Sequence, residues 1–430
     1  EMPMTSDQVI WSEQNRLHIA YDTVQVANAG GGFPAVTVTI TPGANPNPSS
    51  GIRVGATLLV SDNATGLVTT KLLVTALAGN NGYTLTCHAY EGAALPAALV
   101  TGAGSNSLFV YGSMFPKGSN GMAGALEPSL TTFKNSPIIL KDNYELSGSD
   151  AAQIGWIEVA TEDGTSGYMW YLKAESETRL RFQDYLEMAM VESVPNANAA
   201  TFGANFFPTD GVGGGANNAA IYGSTGLFSA IETNGNVYSG FAGAAAPGSG
   251  ALGDFDEILK NLDKQGAIEE NMLFLSRSTA LDFDDMLAAT NGSYNSTQSA
   301  SYGLFENDGD MALNFGFSGF RRGSYDFYKT DWKYLNDATT RGLDKEIDGV
   351  MVPAGTTTVY DQMLGSNIRR PFLHVRYRAS ETEDRRMKSW ITGSVGGAFT
   401  SDLDVMRVNF LSERCLVTQA ANNFVLFKGA

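Results

Sequence analysis

The sequence predicts an α+β fold carrying an inserted all-β module, on three observations. Residues 22–112 hold only five charged side chains and read as short strands separated by turns. Residues 168–192 contain neither Gly nor Pro and read as one long helix. The C-terminal half alternates short apolar strands with turn residues.

The composition sets the frame for these elements. In 430 residues, 43% are hydrophobic and 17% charged, which supplies a sizeable core and excludes a disordered chain. Glycine (48) is abundant and proline (14) sparse, as in a turn-rich globular protein. A formal charge of −17 disfavours non-specific binding to nucleic acid or to an anionic membrane. Two cysteines, Cys87 and Cys415, are too few for a disulfide framework, and His18, His88 and His374 leave little for a histidine metal site. The run Glu1-Met-Pro-Met lacks the basic and apolar regions of a signal peptide, and no apolar stretch is long enough to span a bilayer. A soluble chain is expected.

Within the low-charge segment, Ala35-Val-Thr-Val-Thr-Ile-Thr41 alternates strictly, followed by strand-like Thr57–Val60, Thr70–Thr75 and Tyr83–Cys87. Asp62-Asn63 and Gly79-Asn-Asn-Gly82 punctuate them, which predicts a small sandwich or barrel. Residues 113–167 turn polar and extended through Lys134–Leu140, Asn143–Ser147 and Gly155–Val159, and read as a ribbon with too little core of its own. The helix from Tyr168 to about Glu192 follows, stopped by Pro195. Glu175–Arg179 and Glu177–Arg181 are its expected i,i+4 pairs, and Leu172, Leu180, Met188 and Val191 its expected apolar anchors.

Residues 196–252 carry two charges and twelve glycines, and within them Gly211–Gly215 and Ala242–Gly250 read as long loops. A second helix is expected from Asp254, with Glu257 as its capping-box partner and Gly266 at its end. A third is expected from Thr279 to Ala289 with Ser278 as its cap. Phe372–Arg378 and Arg407–Leu411 alternate as strands, while 415–419 and 423–427 read as buried.

No motif predicts catalysis. Gly211-Val-Gly-Gly-Gly215 has the spacing of a dinucleotide loop but no helix follows it, so a plain loop is the better reading. Glu306-Asn-Asp-Gly-Asp310 lacks the closing Glu of a calcium loop. Asp282, Asp284 and Asp285 read as a solvated helix face, His374 sits in a strand pattern without a nucleophile elbow, and Cys87 reads as a buried thiol. Phe315–Leu335 interleaves aromatics (Phe317, Phe320, Tyr325, Phe327, Tyr328, Trp332, Tyr334) with Arg321, Arg322, Lys329 and Lys333. That pattern fits stacked single-stranded nucleic acid or an interface, and the acidic balance favours interface or core. The same holds for Arg369-Arg370 and Arg385-Arg386. Catalytic, cofactor-binding and metal-binding residues are all expected to be absent. Ribbon, long helix and loops together describe a subunit that interlocks with its own copies.

Several segments resemble the major capsid proteins of tailed bacteriophages, most closely those of crAss-like phages. They are Pro137–Tyr144 with Ser147-Gly-Ser149, Trp170–Arg179, Asp263–Glu269, Gly323–Lys329 with Asp331–Asn336, Arg369–Tyr377 and Leu411–Leu416. The resemblance runs from about Ser113 to the C-terminus. It implies a Hong Kong 97-type fold: N-terminal arm (1–21), extended loop (113–166), spine helix of the peripheral domain (167–195), and axial domain with closing peripheral segments (196–430). The β-rich module (22–112) is the inserted part. It also implies hexamers and pentamers of an icosahedral head, located in the virion and assembled in the host bacterial cytoplasm. The head would enclose double-stranded DNA without binding it sequence-specifically. The implied partners are other copies of the chain, portal and auxiliary or decoration proteins, and a maturation protease, with no membrane. Lys141, Tyr144, Trp156, Arg321, Arg322, Arg369, Arg370, Arg385 and Arg386 are the candidate subunit contacts. Two other expectations compete: an encapsulin-like nanocompartment shell, and a carbohydrate-binding surface protein using Tyr83 and Tyr90 of the β module.

Overall fold

The computed structural model describes residues 1–14, 20–28, 35–41, 50–78, 83–91, 95–100, 104–123, 130–152, 159–160, 166–167, 170–197, 223–239, 245–246, 249–266, 268–293, 319–344, 346–361, 366–395, 397 and 399–429. It is a mixed α and β protein, mostly strands, in two units: residues 12–133, and residues 1–11 with 134–430. Strands β1 (Met2–Met4) and β2 (Val9–Gln14) open the chain.

The smaller unit is built on β3 (Ala20–Asn28), β4 (Ala35–Ile40), β5 (Ala56–Asp62), β6 (Thr69–Ala78), β7 (Thr84–Ala89) and β8 (Asn106–Ser113). They close in the order β3-β4-β7-β6-β5-β8, so of sandwich and barrel the chain forms the barrel. The alternation explains it: Val36, Val38 and Ile40 point inward with Val24, Leu58, Val60, Leu72 and Leu85, all essentially inaccessible to water. Cys87 is in this core, its thiol pushed up to about 12 by burial, which makes it structural. Gly55 sits at φ +88° beneath the Phe115 ring, where a methyl group would meet the ring at 2.5 Å. Only glycine satisfies both demands.

β9 (Leu130–Asn135), which pairs with β2, runs across the boundary at residue 133, and the larger unit continues with β10 (Ile138–Ser147). A one-turn helix α1 (Gly148–Ala151) is capped by the Ser147 hydroxyl, and the short β11 (Val159–Ala160) and β12 (Ser166–Gly167) pair with each other. Next come α2 (Trp170–Glu192), α3 (Leu227–Asn234), β13 (Asn236–Ser239), the short pair β14 (Ala245–Ala246) and β15 (Ser249–Gly250), and α4 (Ala251–Gln265). They are followed by β16 (Glu270–Leu275), α5 (Arg277–Ser293), β17 (Gly319–Arg322), β18 (Tyr325–Asp331) and α6 (Lys333–Asn336). The chain ends with β19 (Ile347–Pro353), the hairpin β20 (Thr356–Asp361) and β21 (Ser366–Pro371), β22 (Leu373–Arg378), β23 (Lys388–Gly393), β24 (Val405–Thr418) and β25 (Val425–Lys428).

A six-stranded sheet, β13-β25-β19-β16-β18-β17, has a core on each face. Alternate residues divide between the two. Leu273, Leu275, Met351, Val425 and Phe427 join Phe255 and Phe283 of α4 and α5, while Phe274, Val350 and Leu426 join Phe228 and Ile231 of α3. Strands buried on both faces read as continuous apolar runs, which is why 423–427 has no alternation. The second sheet runs β1-β22-β24-β10, with β23 also paired to β24. Its Val408 and Phe410 meet Phe182 and Leu186 of α2.

Several local expectations are corrected. Lys134–Ser147 is not a ribbon short of a core: β10 pairs with β24 over ten residues and lies under α2. Residues 407–411 and 415–418 belong to one strand of 14 residues, which ends one residue before the expected Gln419. The buried row of α2 is Thr178, Phe182, Leu186 and Met190, four apart, while Leu180 is 58% exposed. Arg181 reaches Asp142 on β10 at 2.9 Å, and Glu177 pairs with Lys173. The second helix starts three residues before Asp254, which leaves Asp254 and Glu257 inside it rather than as a capping box, although Gly266 does follow its end with φ +85°. The third helix begins at Arg277, and Ser276, not Ser278, accepts from the Thr279 N–H at 3.4 Å.

Phe182 is fully buried and stacks on Phe410 at a centroid distance of 5.9 Å. Phe182→Ala is expected to destabilise the larger unit by about 3–5 kcal/mol. Leu180→Ala is expected to stay within about 0.5 kcal/mol in the unassembled chain. Urea unfolding of both variants, followed by circular dichroism, separates the two apolar rows of the helix.

Candidate assembly surfaces

β24 is central to the second sheet. Along its first half β10 lies on one side and β23 on the other, and along its second half β22 takes the place of β23. Strand alternation sends Val408 and Phe410 toward α2 and places Arg407 and Asn409 on the opposite face. There Arg407 pairs with Glu145, the Asn409 amide donates to Thr392 Oγ1 at 3.0 Å, and Lys388 lies over the Trp390 ring at 5.7 Å.

Further along β24 the polarity inside the fold changes. Glu413 is 6% exposed and lies between Arg378 (2.6 Å) and Arg385 (2.9 Å). Arg414, also buried, donates to Ser412 Oγ at 2.9 Å and to the Arg386 carbonyl at 3.0 Å, and burial holds its guanidinium below the ordinary arginine range. The opening segment completes the network. β1 pairs in parallel with Arg376–Arg378 of β22, Glu1 bridges Arg386 (2.5 Å) and Arg414 (3.4 Å), and Asp7 pairs with Arg378. Opposite charges from four segments thus clamp one edge of the sheet. Removing a partner leaves a buried charge uncompensated, so each depends on the others.

His374 faces the same strand. Its Nδ1 lies 3.1 Å from the Pro371 carbonyl, and burial, with Arg376 and Arg370 nearby, lowers its pKa to about 4. Cys415, opposite Arg376 on the paired strand, is a free thiol pushed up to about 12 by burial. Neither group is poised as a nucleophile or base near pH 7.

The sequence-derived contact residues divide by environment. Lys141 is exposed on β10, and Tyr144 is half-buried beside Asp150 and Glu175, with its hydroxyl titrating above the ordinary range chiefly through burial. Arg321 is exposed and pairs with Asp326 at 3.4 Å, whereas Arg322 bonds Asp256 of α4 through two nitrogens at 2.5 and 2.6 Å. Arg369 is exposed and Arg370 buried on β21. Arg385 and Arg386 belong to the Glu413 and Glu1 clamps, and Arg386 also lies over the Tyr377 ring at 5.8 Å. Trp156, the loop at 211–215 and the acidic turn at 306–310 lie outside the described residues.

The aromatic and basic stretch is largely core. Phe320, Tyr325 and Phe327 are buried with Phe255 and Phe283. Lys329 is no open cation: it pairs with Asp284 of α5 and donates to the Ala280 carbonyl at 3.0 Å. This corrects the reading of Asp284 as a solvated helix face, since the carboxylate fastens α5 to the sheet. Sequence reasoning found no partner for Asp284, Glu413, Arg378 or Arg414, whose ion-pair partners lie 28 or more residues away. The only local signal was a charged residue interrupting an apolar strand.

Exposed apolar side chains mark the remaining surface of this unit, among them Leu180, Tyr185, Leu343, Trp390 and Phe399. Charge is divided unequally. Residues 12–133 carry five acidic and four basic side chains, net −1, so the larger unit holds −16 of the −17. Among the described residues no helix is long and apolar enough to cross a membrane.

Two expectations follow. His374 ordinarily titrates near 6.5 and here near 4, so between those pH values the unfolded chain takes up a proton that the folded chain refuses. Stability is therefore complete above about pH 6.5 and falls by up to about 3 kcal/mol as the pH drops toward 4. His374→Asn flattens that part of the profile, read from urea midpoints against pH. Glu413→Ala costs about 3 kcal/mol at pH 7, and removing Arg378 and Arg385 as well recovers part of the loss in a mutant cycle.

No protein-family model matches the chain, and no curated protein does. Comparison with solved structures finds a structure described as Gordonia phage Cozz at 10% identity and TM-score 0.37, covering 74% of this chain and 77% of that one. A structure described as the capsid of cyanophage P-SCSP1u is 9% identical at TM-score 0.36, covering 74% and 80%. A third, the asymmetric unit of the bacteriophage PhiM1 mature capsid, is 9% identical at TM-score 0.36, covering 74% and 78%.

Proposed function

We propose that this chain is the major capsid protein of a tailed bacteriophage, related to those of crAss-like phages and folded on the Hong Kong 97 pattern. One observation carries the reading. The segments that resemble that family are scattered in sequence, yet four of them meet in a single helix-on-sheet layer. Pro137–Tyr144 lies mostly in β10, Leu411–Leu416 in the middle of β24 and Arg369–Tyr377 runs through β22, while Trp170–Arg179 opens the helix that packs on β10 and β24. In this reading α2 is the spine helix, 1–21 the arm, 22–112 the inserted module, 113–166 the extended loop, and much of 196–430 the axial domain. Hexamers and pentamers of the chain close an icosahedral head around double-stranded DNA, and portal, decoration and protease partners act on that head in the host cytoplasm.

Physical chemistry supports the same reading. The larger unit leaves Leu180, Tyr185, Trp390 and Phe399 in water, as a surface to be covered by neighbours would. Its charge of −16 gives a wall that does not hold packaged phosphates. It also makes association of copies salt-dependent, because like charges must be screened before apolar surfaces meet.

Electron microscopy of the native assembly, with light scattering for mass, tests the proposal. DNA-filled closed shells are expected, assembling faster as salt rises from 50 to 500 mM. Shells filled with an enzyme would point to a nanocompartment, and a monomer at every salt concentration would remove the capsid reading.

A further inference from the structure

We infer that the barrel unit carries a self-docking face, whose occupant is the same face of a second copy of this chain. On the outer wall, Phe109 and Tyr111 lie two residues apart on β8 and point away from the core. Phe109 is opposite Leu59 of β5, which is opposite Lys71 of β6, whose carbonyl accepts from the Tyr90 N–H at 3.0 Å. The chain after β8 continues its ladder alongside the segment that precedes β5. The Met114 N–H donates to the Gly55 carbonyl at 2.9 Å, the Tyr90 hydroxyl meets Met114 Sδ at 3.4 Å, and the Phe115 ring covers Gly55 next to Val54. Burial chiefly, and the nearby Tyr111 hydroxyl, raise the pKa of Tyr90. The patch is therefore continuous.

Its size and charge argue for the occupant. Six side chains (Val54, Tyr90, Phe109, Tyr111, Met114 and Phe115) are each 39–54% exposed. At about 150–250 Å² per large side chain they present roughly 500 Å² of mostly apolar surface, the upper end of what a monomer leaves open. A standard interface takes about 800 Å² from each partner, so this patch with its polar rim approaches that size. Aromatic residues and Met are the types that protein interfaces enrich. A two-fold contact requires a patch that tolerates itself, which a surface of one charge sign cannot do. The barrel unit, at net −1, meets that condition without the screening by salt that the larger unit at −16 needs. The contact does not depend on the capsid reading.

The chain supplies a clean test, because its two cysteines are fully buried. The full-length Tyr111→Cys variant places one thiol on the patch, and Ala27→Cys places one on β3, far along the barrel wall. Under mild oxidation with diamide, Tyr111→Cys is expected to give a covalent dimer on a non-reducing gel, in at least tenfold higher yield than Ala27→Cys. A Phe109→Ser, Met114→Ser double variant with unchanged circular dichroism is expected to lose the salt-insensitive part of self-association in sedimentation. Equal crosslinking at the two positions overturns the inference. So does a monomeric barrel face whose tyrosine fluorescence responds to maltohexaose, which would make it a sugar platform. Closed shells without patch crosslinks sink this contact and leave the capsid reading standing, whereas patch crosslinks without shells do the reverse.

Discussion

The larger unit depends on β24. Fourteen residues in one strand hold hydrogen-bonded partners on both edges, a stacked phenylalanine contact on one face and a buried glutamate between two arginines farther along. Because these contacts share one backbone, a shift of register by one residue would exchange every one of them between faces. Phe410 would leave Phe182, and Glu413 would leave its arginines. Apolar packing and charge pairing thus enforce the same register, and the parallel β1 strand closes the remaining edge.

Charge inside the fold fastens elements to one another. Asp284 with Lys329, Asp256 with Arg322 and Glu192 with Arg341 each tie a helix to a strand or loop distant in sequence. Such pairs gain little over apolar packing in free energy, but an unpaired member would be costly, which favours one arrangement over its alternatives. The barrel stands apart. Its core is mostly apolar, with Asn106 and Thr57 among its few buried polar side chains, and its sequence holds few ionisable groups. One chain therefore combines an acidic unit fastened by internal ion pairs with an almost neutral unit held by a closed strand ladder around a mostly apolar core.

What was legible in the sequence followed periodicity. Ala35–Thr41 alternates, so its strand and inward face could be read directly, and absence of Gly and Pro marked the helix that ends at Glu192. Helix α2 nonetheless offers two apolar rows at helical spacing, one through Leu180 and Met188 and one through Phe182, Leu186 and Met190. Periodicity cannot choose between rows that both satisfy it. The sheet chose, because only the second row lies over Val408 and Phe410. The same limit applied to caps: Asp254 followed by Glu257 has the chemistry of a helix start, yet preceding residues were free to continue the helix and did.

The sequence by itself determined the mixed class, the low-charge β segment, the long helix, the acidic balance and the absence of a catalytic motif, because each is a property of composition or local spacing. Tertiary structure alone decided which strands pair, which cations are clamped and which apolar side chains stay in water. Arg385 and Arg386 look identical to Arg369 in sequence, and only the approach of Glu413 and Glu1 from distant segments separates them. The physical reason is that a charge or an apolar side chain acquires its role from what surrounds it. For this chain the surroundings come from segments as far apart as Glu1 and Arg414.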